Sequence, residues 1–161
     1  MKRRETIVVG SDHAGFKLKE YVKDRLEEME YSVEDVGTYD ENPVDYPDYA
    51  EKVALRVLQG GNRRGVLACG TGIGASIAAN KIPGIRAALV YNVEEARLSR
   101  EHNDANLLVL GGWGYNKQEV DKMLRTWLRG RFLKGRHLRR VRKIARLEKK
   151  YRMLTPSGIR R

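Results

Sequence analysis

The chain has a single cysteine, Cys69, among 161 residues. One thiol excludes an intramolecular disulfide framework and fits a reducing compartment, so a cytoplasmic location is expected. No apolar run reaches the length needed to cross a bilayer, and no membrane partner is expected. Lys2-Arg3-Arg4 is followed by Glu5 and a short strand-like run. With no long apolar segment and no small-residue cleavage site, the sequence predicts no secretory signal. Histidine occurs three times, at His13, His102 and His137, with no His-Glu-x-x-His pattern and no local ligand cluster, so no metal is expected. A Gly-Lys-Ser/Thr phosphate loop is absent, and Gly70, Gly72 and Gly74 are spaced too evenly for Gly-x-Gly-x-x-Gly. Acidic residues are nearly missing from the C-terminal fifth. Residues 129–161 hold 14 Lys/Arg and one carboxylate, Glu148, while residues 1–128 carry a net charge of −2. The overall +11 is thus a property of one segment. Charge alone suits that segment to nucleic acid, to small anionic substrates or to a solvated tail. Its only aromatics are Phe132 and Tyr151, few for stacking on bases.

What is present is the makeup of a folded domain, 41% hydrophobic and 33% charged. Thr6–Gly10, Tyr31–Val36, Val66–Cys69, Ile85–Tyr91 and Leu107–Leu110 read as strands, short and apolar rather than alternating. Helices are expected over residues 14–29, from Pro47 onward, after Gly74, and over 93–101, 117–128 and 139–151. In the first of these, Leu18, Val22, Leu26 and Met29 share the apolar face and Lys19 lies off it. In the last, Val141, Ile144, Ala145 and Leu147 are the apolar positions. Asn92 with Glu95 resembles a capping box. Strands alternating with helices argue for a three-layer, Rossmann-like α/β sandwich on a five-stranded, mostly parallel sheet. One domain over residues 1–150 is expected, with a basic, flexible tail at 151–161. Ligands of such sheets bind beyond the strand C-termini, where Asp12, His13, Cys69–Gly74 and Gly111 fall.

Cys69 opens the loop Cys69-Gly70-Thr71-Gly72-Ile73-Gly74. A cysteine at a strand end can be a small buried hydrophobe. Glycines also let backbone N–H groups approach an anion or a developing oxyanion, and that field would lower the thiol pKa. Arg136 and Arg140 are four apart, on one face of a helix, and guanidinium groups bind phosphate well.

Several stretches together resemble the type B ribose-5-phosphate isomerases and the wider ribose/galactose isomerase family. They are Gly10-Ser11-Asp12-His13-Ala14-Gly15-Phe16, Asp45-Tyr46-Pro47, the Cys69–Gly74 loop, Ile77-Ala78-Ala79-Asn80-Lys81, Gly84-Ile85-Arg86-Ala87-Ala88, His102-Asn103-Asp104-Ala105-Asn106 and Gly135-Arg136-His137. The resemblance implies a homodimer or tetramer with sites shared between subunits, and no cofactor. It implies an aldose–ketose isomerase of the pentose phosphate pathway, interconverting D-ribose 5-phosphate and D-ribulose 5-phosphate. By the same resemblance Cys69 is the base, since a second branch uses a glutamate where this chain has Ala75. Thr71 assists proton transfer, and Gly70, Gly72 and Gly74 offer N–H groups to the enediolate. Asp12 holds sugar hydroxyls, His102 opens the furanose ring and Asn103 binds near the enediolate. Arg136, Arg140, His13 and His137 bind the phosphate, and Tyr46 lines the sugar pocket. The family usually has an arginine where this chain has Trp113, so one phosphate-side cation is absent. An isomerase of a six-carbon phosphosugar, allose or galactose 6-phosphate, is the alternative. A nucleic-acid-binding module built on the basic C-terminus is a more distant one, and no nucleic-acid partner is expected.

Overall fold

The structure is a computed structural model and describes residues 5–151. Five strands form one sheet: β1 (Thr6–Ser11), β2 (Ser32–Asp35), β3 (Arg63–Cys69), β4 (Ala87–Leu89) and β5 (Leu107–Gly111). Their order is β2-β1-β3-β5-β4, and every pairing is parallel. The expected strands are all present. β4 is the shortest, three residues at the sheet edge where only β5 pairs with it.

Six helices are seen among the described residues, α1 (Phe16–Glu28), α2 (Tyr46–Leu58), α3 (Ile73–Ala79), α4 (Val93–Asn103), α5 (Lys117–Arg129) and α6 (Gly135–Tyr151), the first five covering the sheet and α6 packing on α4. Because both sheet faces are covered, successive strand residues enter different cores. Ile7, Val9, Val66, Ala68, Leu108 and Leu110 pack under α1, α4 and α5, with Trp127 fully buried among them. Val8, Leu67, Cys69, Leu107 and Val109 pack under α2 and α3. This two-sided burial is why the strands read as continuous apolar runs. Asn92 caps α4 as expected: its side chain accepts the Glu95 N–H at 2.8 Å, and the Glu95 carboxylate accepts the N–H of Tyr91.

Three local expectations change. Lys19 is buried on α1, its Nζ 2.6 Å from Asp35 and 2.8 Å from Glu20, because an ion pair lets an ammonium leave water. The last helix begins at Gly135 rather than Arg139, which places Arg136 and His137 in its first turn. Its apolar positions do not enter a core: Ile144, Ala145 and Leu147 are exposed and Val141 is half-buried. Of the expected tail, Tyr151 ends α6 and residues 152–161 lie outside the described residues. Among the described residues no helix is long and apolar enough to cross a membrane.

The turn from β1 into α1 runs against the end of β3. A Cβ on Gly15 would lie 2.4 Å from the Ala68 carbonyl, which only a shift of backbone could relieve. Gly15→Ala is therefore expected to lower unfolding free energy by about 1–3 kcal/mol, read from urea denaturation. An unchanged midpoint and slope would show that the turn has room to move.

Candidate active site

Parallel pairing sets Ser11 beside Ala68, so the residues that follow β1 and β3 emerge as neighbours. The chain leaves β1 toward β2 on one side, and leaves β3 toward the opposite edge of the sheet. A crevice opens where connections diverge in this way. Asp12 lies in it, 5% exposed. One carboxylate oxygen accepts the Gly15 N–H at 2.8 Å and the other accepts the Cys69 thiol at 3.1 Å.

This pairing reverses one expectation. The N–H groups of Gly72 and Gly70 do draw the thiol pKa down, but burial and the Asp12 carboxylate outweigh them. The Cys69 pKa is pushed up to about 11. Desolvation and a neighbouring negative charge both disfavour a thiolate, and here they act together.

The loop after Cys69 is shaped by its neighbours. Gly72 has φ of +80° and turns the chain into α3. The Thr71 hydroxyl accepts the Ile73 N–H at 3.2 Å, and the Thr71 side chain is exposed at the loop tip. The Trp113 indole lies against Gly70, where a Cβ would be 2.8 Å from the ring, and Trp113 N–H donates to the Gly70 carbonyl at 3.0 Å. Trp113 is 71% exposed, so it walls the loop rather than filling a core. Beside it a cavity of about 490 Å³ is lined by Gly70 and Thr71 of the loop, Trp113 itself, Tyr91, Tyr115 and Met123. The Tyr46 ring stands over Gly74. His13 Nδ1 faces the Val44 backbone, 3.1 Å from its nitrogen and 3.2 Å from its carbonyl oxygen, which holds the ring beside the Asp12 turn.

The remaining predicted residues form a second group. His102 and Asn103 end α4, and Arg136, His137 and Arg140 begin α6. The His102 and His137 rings are stacked, centroids 4.0 Å apart and 8° from coplanar. His137 is buried beneath this stack, and burial together with His102, Arg136 and Arg140 lowers its pKa. Arg136, Arg140 and Asn103 are exposed. The Asn103 carbonyl accepts from Arg86, which precedes β4, so this group is anchored at the N-terminal edge of the sheet. Cys69 ends the seven-residue β3, about 20 Å from that edge at the usual rise per strand residue. One chain therefore does not bring the two groups together.

Two residues beside the expected site list hold it in shape. Gly15 supplies an N–H to Asp12, and Trp113 holds the loop. The glycine in Asp12-His13-Ala14-Gly15 was the available signal for the first. Among the described residues no cluster of three His, Cys, Asp or Glu side chains could hold a metal ion.

A family model described as ribose/galactose isomerase matches residues 7–144. The chain belongs to the ribose/galactose isomerase family. Ribose-5-phosphate isomerase B of Escherichia coli is 42% identical over 144 residues, 89% of this chain and 97% of that protein. The solved ribose-5-phosphate isomerase B of Clostridium thermocellum is 50% identical, with a TM-score of 0.89 over 91% of this chain and 99% of that one. The Mycoplasma genitalium family member, solved with bound ribulose-5-phosphate, is 39% identical with a TM-score of 0.85, over 90% of this chain and 97% of its own.

The thiol can be titrated directly. Iodoacetamide alkylation of Cys69 is expected to be slow at pH 8 and to accelerate toward pH 11. Asp12→Asn removes the negative neighbour, lowers the thiol pKa and is expected to speed alkylation at pH 8 about tenfold, the effect of roughly one pKa unit. Equal rates in both proteins would show that Asp12 does not control the thiol.

Proposed function

We propose that this protein is an aldose–ketose isomerase interconverting D-ribose 5-phosphate and D-ribulose 5-phosphate, acting in the pentose phosphate pathway in the cytoplasm. The observation that carries the reading is the Cys69 thiol held 3.1 Å from Asp12 at the head of a loop whose N–H groups bear on the sulfur. The reaction moves one proton between C2 and C1 and passes through an enediolate. It needs a single base able to serve both carbons and a set of donors for the negative oxygen. Cys69 is that base. As thiolate it takes the C2 proton of the aldose, then returns it to C1 to give the ketose. The N–H groups of Gly70, Gly72 and Gly74 hold the enediolate oxygen, and Thr71 holds a sugar oxygen and relays hydroxyl protons. Asp12 binds sugar hydroxyls and accepts the thiol hydrogen bond in the resting site. Tyr46 lines the pocket over Gly74.

His102 opens the furanose ring, a proton transfer suited to imidazole. Asn103 binds near the enediolate, and Arg136 and Arg140 bind the phosphate with His13 and His137. Because His102, Asn103 and the arginines lie at the far edge of their own sheet, the complete site combines the Cys69 crevice of one subunit with the α4–α6 corner of another. A homodimer or dimer of dimers is the natural assembly. The exposed Ile73, Ile77, Trp113, Ile144 and Leu147 support such contacts, since apolar side chains gain by leaving water. Residues 1–150 form the isomerase domain and 151–161 its basic extension.

The first test is conversion of ribose 5-phosphate, alongside allose and galactose 6-phosphates. The highest kcat/KM is expected for the pentose, and a higher value for a hexose phosphate would transfer the assignment to the six-carbon reaction. Cys69→Ala is expected to lower kcat by about 10²–10⁴. The shared site is tested by mixing and refolding Cys69→Ala with His102→Ala. Random pairing leaves one intact site in each hybrid dimer, so about a quarter of wild-type activity should return. No recovery would place the whole site in one chain.

A further inference from the structure

At the N-terminal edge of the sheet, opposite the Cys69 crevice, a second pocket of about 370 Å³ opens between the ends of α4 and α5 and the start of β3. Four arginines line it, Arg63, Arg64, Arg86 and Arg100, against two carboxylates, Glu5 and Asp104. Both carboxylates are engaged. Glu5 takes Arg64 in a two-point pair at 2.5 and 2.7 Å. The rest of the Arg64 fork donates to the Trp127 and Leu128 carbonyls at 3.1 and 2.8 Å. Asp104 is divided between two cations, with one oxygen 3.0 Å from Arg100 Nη1 and the other 3.1 Å from Arg86 Nη2. Arg63 turns to Glu34, outside the pocket lining.

The charges therefore do not cancel. Arg86 and Arg100 share one carboxylate, and the buried Nε–H of Arg100 has no hydrogen-bond partner among the described residues. Arg100 and Arg64 also lie over the same Trp127 indole, at 5.8 and 4.8 Å from the ring centroid. Burial and the nearby Arg64 destabilise the Arg100 cation. A guanidinium does not shed its proton at physiological pH, so it must find an anion instead. Arg86, half-buried, and the more deeply buried Arg100 also donate to backbone carbonyls, of Asn103 and Asp104 and of Ala105, but a carbonyl carries no full charge, so two cations on one carboxylate leave room for a second negative group.

We propose that this arginine pocket binds a phosphate group, free or as a small phosphomonoester, through Arg100 and Arg86, at a site separate from the reacting sugar. The pocket has room for a phosphate with a short carbon chain. A fork of planar donors suits tetrahedral oxyanions. The site does not require the isomerase assignment to be right, because none of its lining residues is assigned to substrate, although Arg86 holds the Asn103 carbonyl.

The test uses the full chain carrying Arg136→Ala and Arg140→Ala, which removes the cations assigned to substrate phosphate. Inorganic phosphate and glycerol 3-phosphate are titrated separately at constant ionic strength held with sodium chloride, following the thermal midpoint and the heat of binding. A saturable rise in midpoint with one ligand per chain is expected. Response to both ligands indicates a site for phosphomonoesters, and response to phosphate alone indicates a site for the free ion. Arg100→Gln should abolish the response. Asp104→Asn decides the matter if that variant fails to fold. Residue 104 has φ of +48°, which asparagine tolerates, so the backbone is retained while a competing carboxylate is lost. Phosphate affinity should rise by about tenfold, the effect of one favourable unit-charge change at a partly buried pair. No saturable response in the Arg136→Ala/Arg140→Ala protein, or one that Asp104→Asn leaves unchanged, would overturn the site.

Discussion

The hydrogen bond from the Cys69 thiol to Asp12 depends on two strands being adjacent and parallel, and much else is arranged around that adjacency. Register brings Ser11 level with Ala68, and Gly15 lets the β1–α1 turn close over the Ala68 carbonyl. β5 arrives from the other side, where Gly112 N–H donates to the Cys69 carbonyl at 2.7 Å and Trp113 N–H reaches Gly70. Three strand ends are thereby tied to one dipeptide, Cys69-Gly70. The thiol is held with little freedom, in a place where burial and a carboxylate oppose its ionisation. A thiol so placed is a poor nucleophile, because little of it is ionised near neutral pH. Its ionisation would become easier if another donor drew the Asp12 carboxylate away while the Gly70 and Gly72 N–H groups stayed on the sulfur.

The fold was legible because the signals were local and redundant. Five apolar runs separated by amphipathic segments leave few alternatives to a parallel sheet. The Asn92–Glu95 cap could be read from residue types alone. The errors arose where a distant partner decides the outcome. Lys19 looks like a surface lysine until Asp35, sixteen residues on, arrives to neutralise it. The thiol pKa departs from expectation for the same reason. Glycine N–H groups are visible in the loop sequence, whereas the carboxylate that outweighs them lies 57 residues away. The start of α6 was misplaced because Gly135, with φ of +48°, reads as a breaker yet forms the first residue of the helix.

The sequence proposes site residues as a list and carries nothing of their geometry. Motif by motif, the sequence names groups suited to sugar-phosphate chemistry, and the structure places all those named between Asp12 and Arg140. It also separates them into two clusters at opposite edges of one sheet. No spacing in the sequence carries that information, since it depends on α4 running antiparallel to the strands and depositing His102 far from Cys69. The stacked His102 and His137 rings show a further consequence of tertiary placement. A pair of histidines 35 residues apart becomes one unit, with His137 buried and disfavoured as a cation beneath its partner.

The same argument explains why α6 is basic. Arg136 and Arg140, or Arg139 and Lys143, place like charges one turn apart, which weakens an isolated helix. Its apolar positions do not offset this, because Ile144 and Leu147 remain exposed. Within the chain it is tied by the His102–His137 stack, by the Leu133 N–H on the Glu101 carbonyl at 3.0 Å just before the helix, and by Glu148 on the Gly84 N–H at 3.2 Å near its end. A helix that repels itself and keeps an apolar stripe in water is incomplete as a structural element. A second protein surface would cover the stripe, and a phosphate would neutralise the cations. Both needs would be met at once by the proposed assembly, in which the charge that is costly within one chain would face the substrate phosphate of its neighbour.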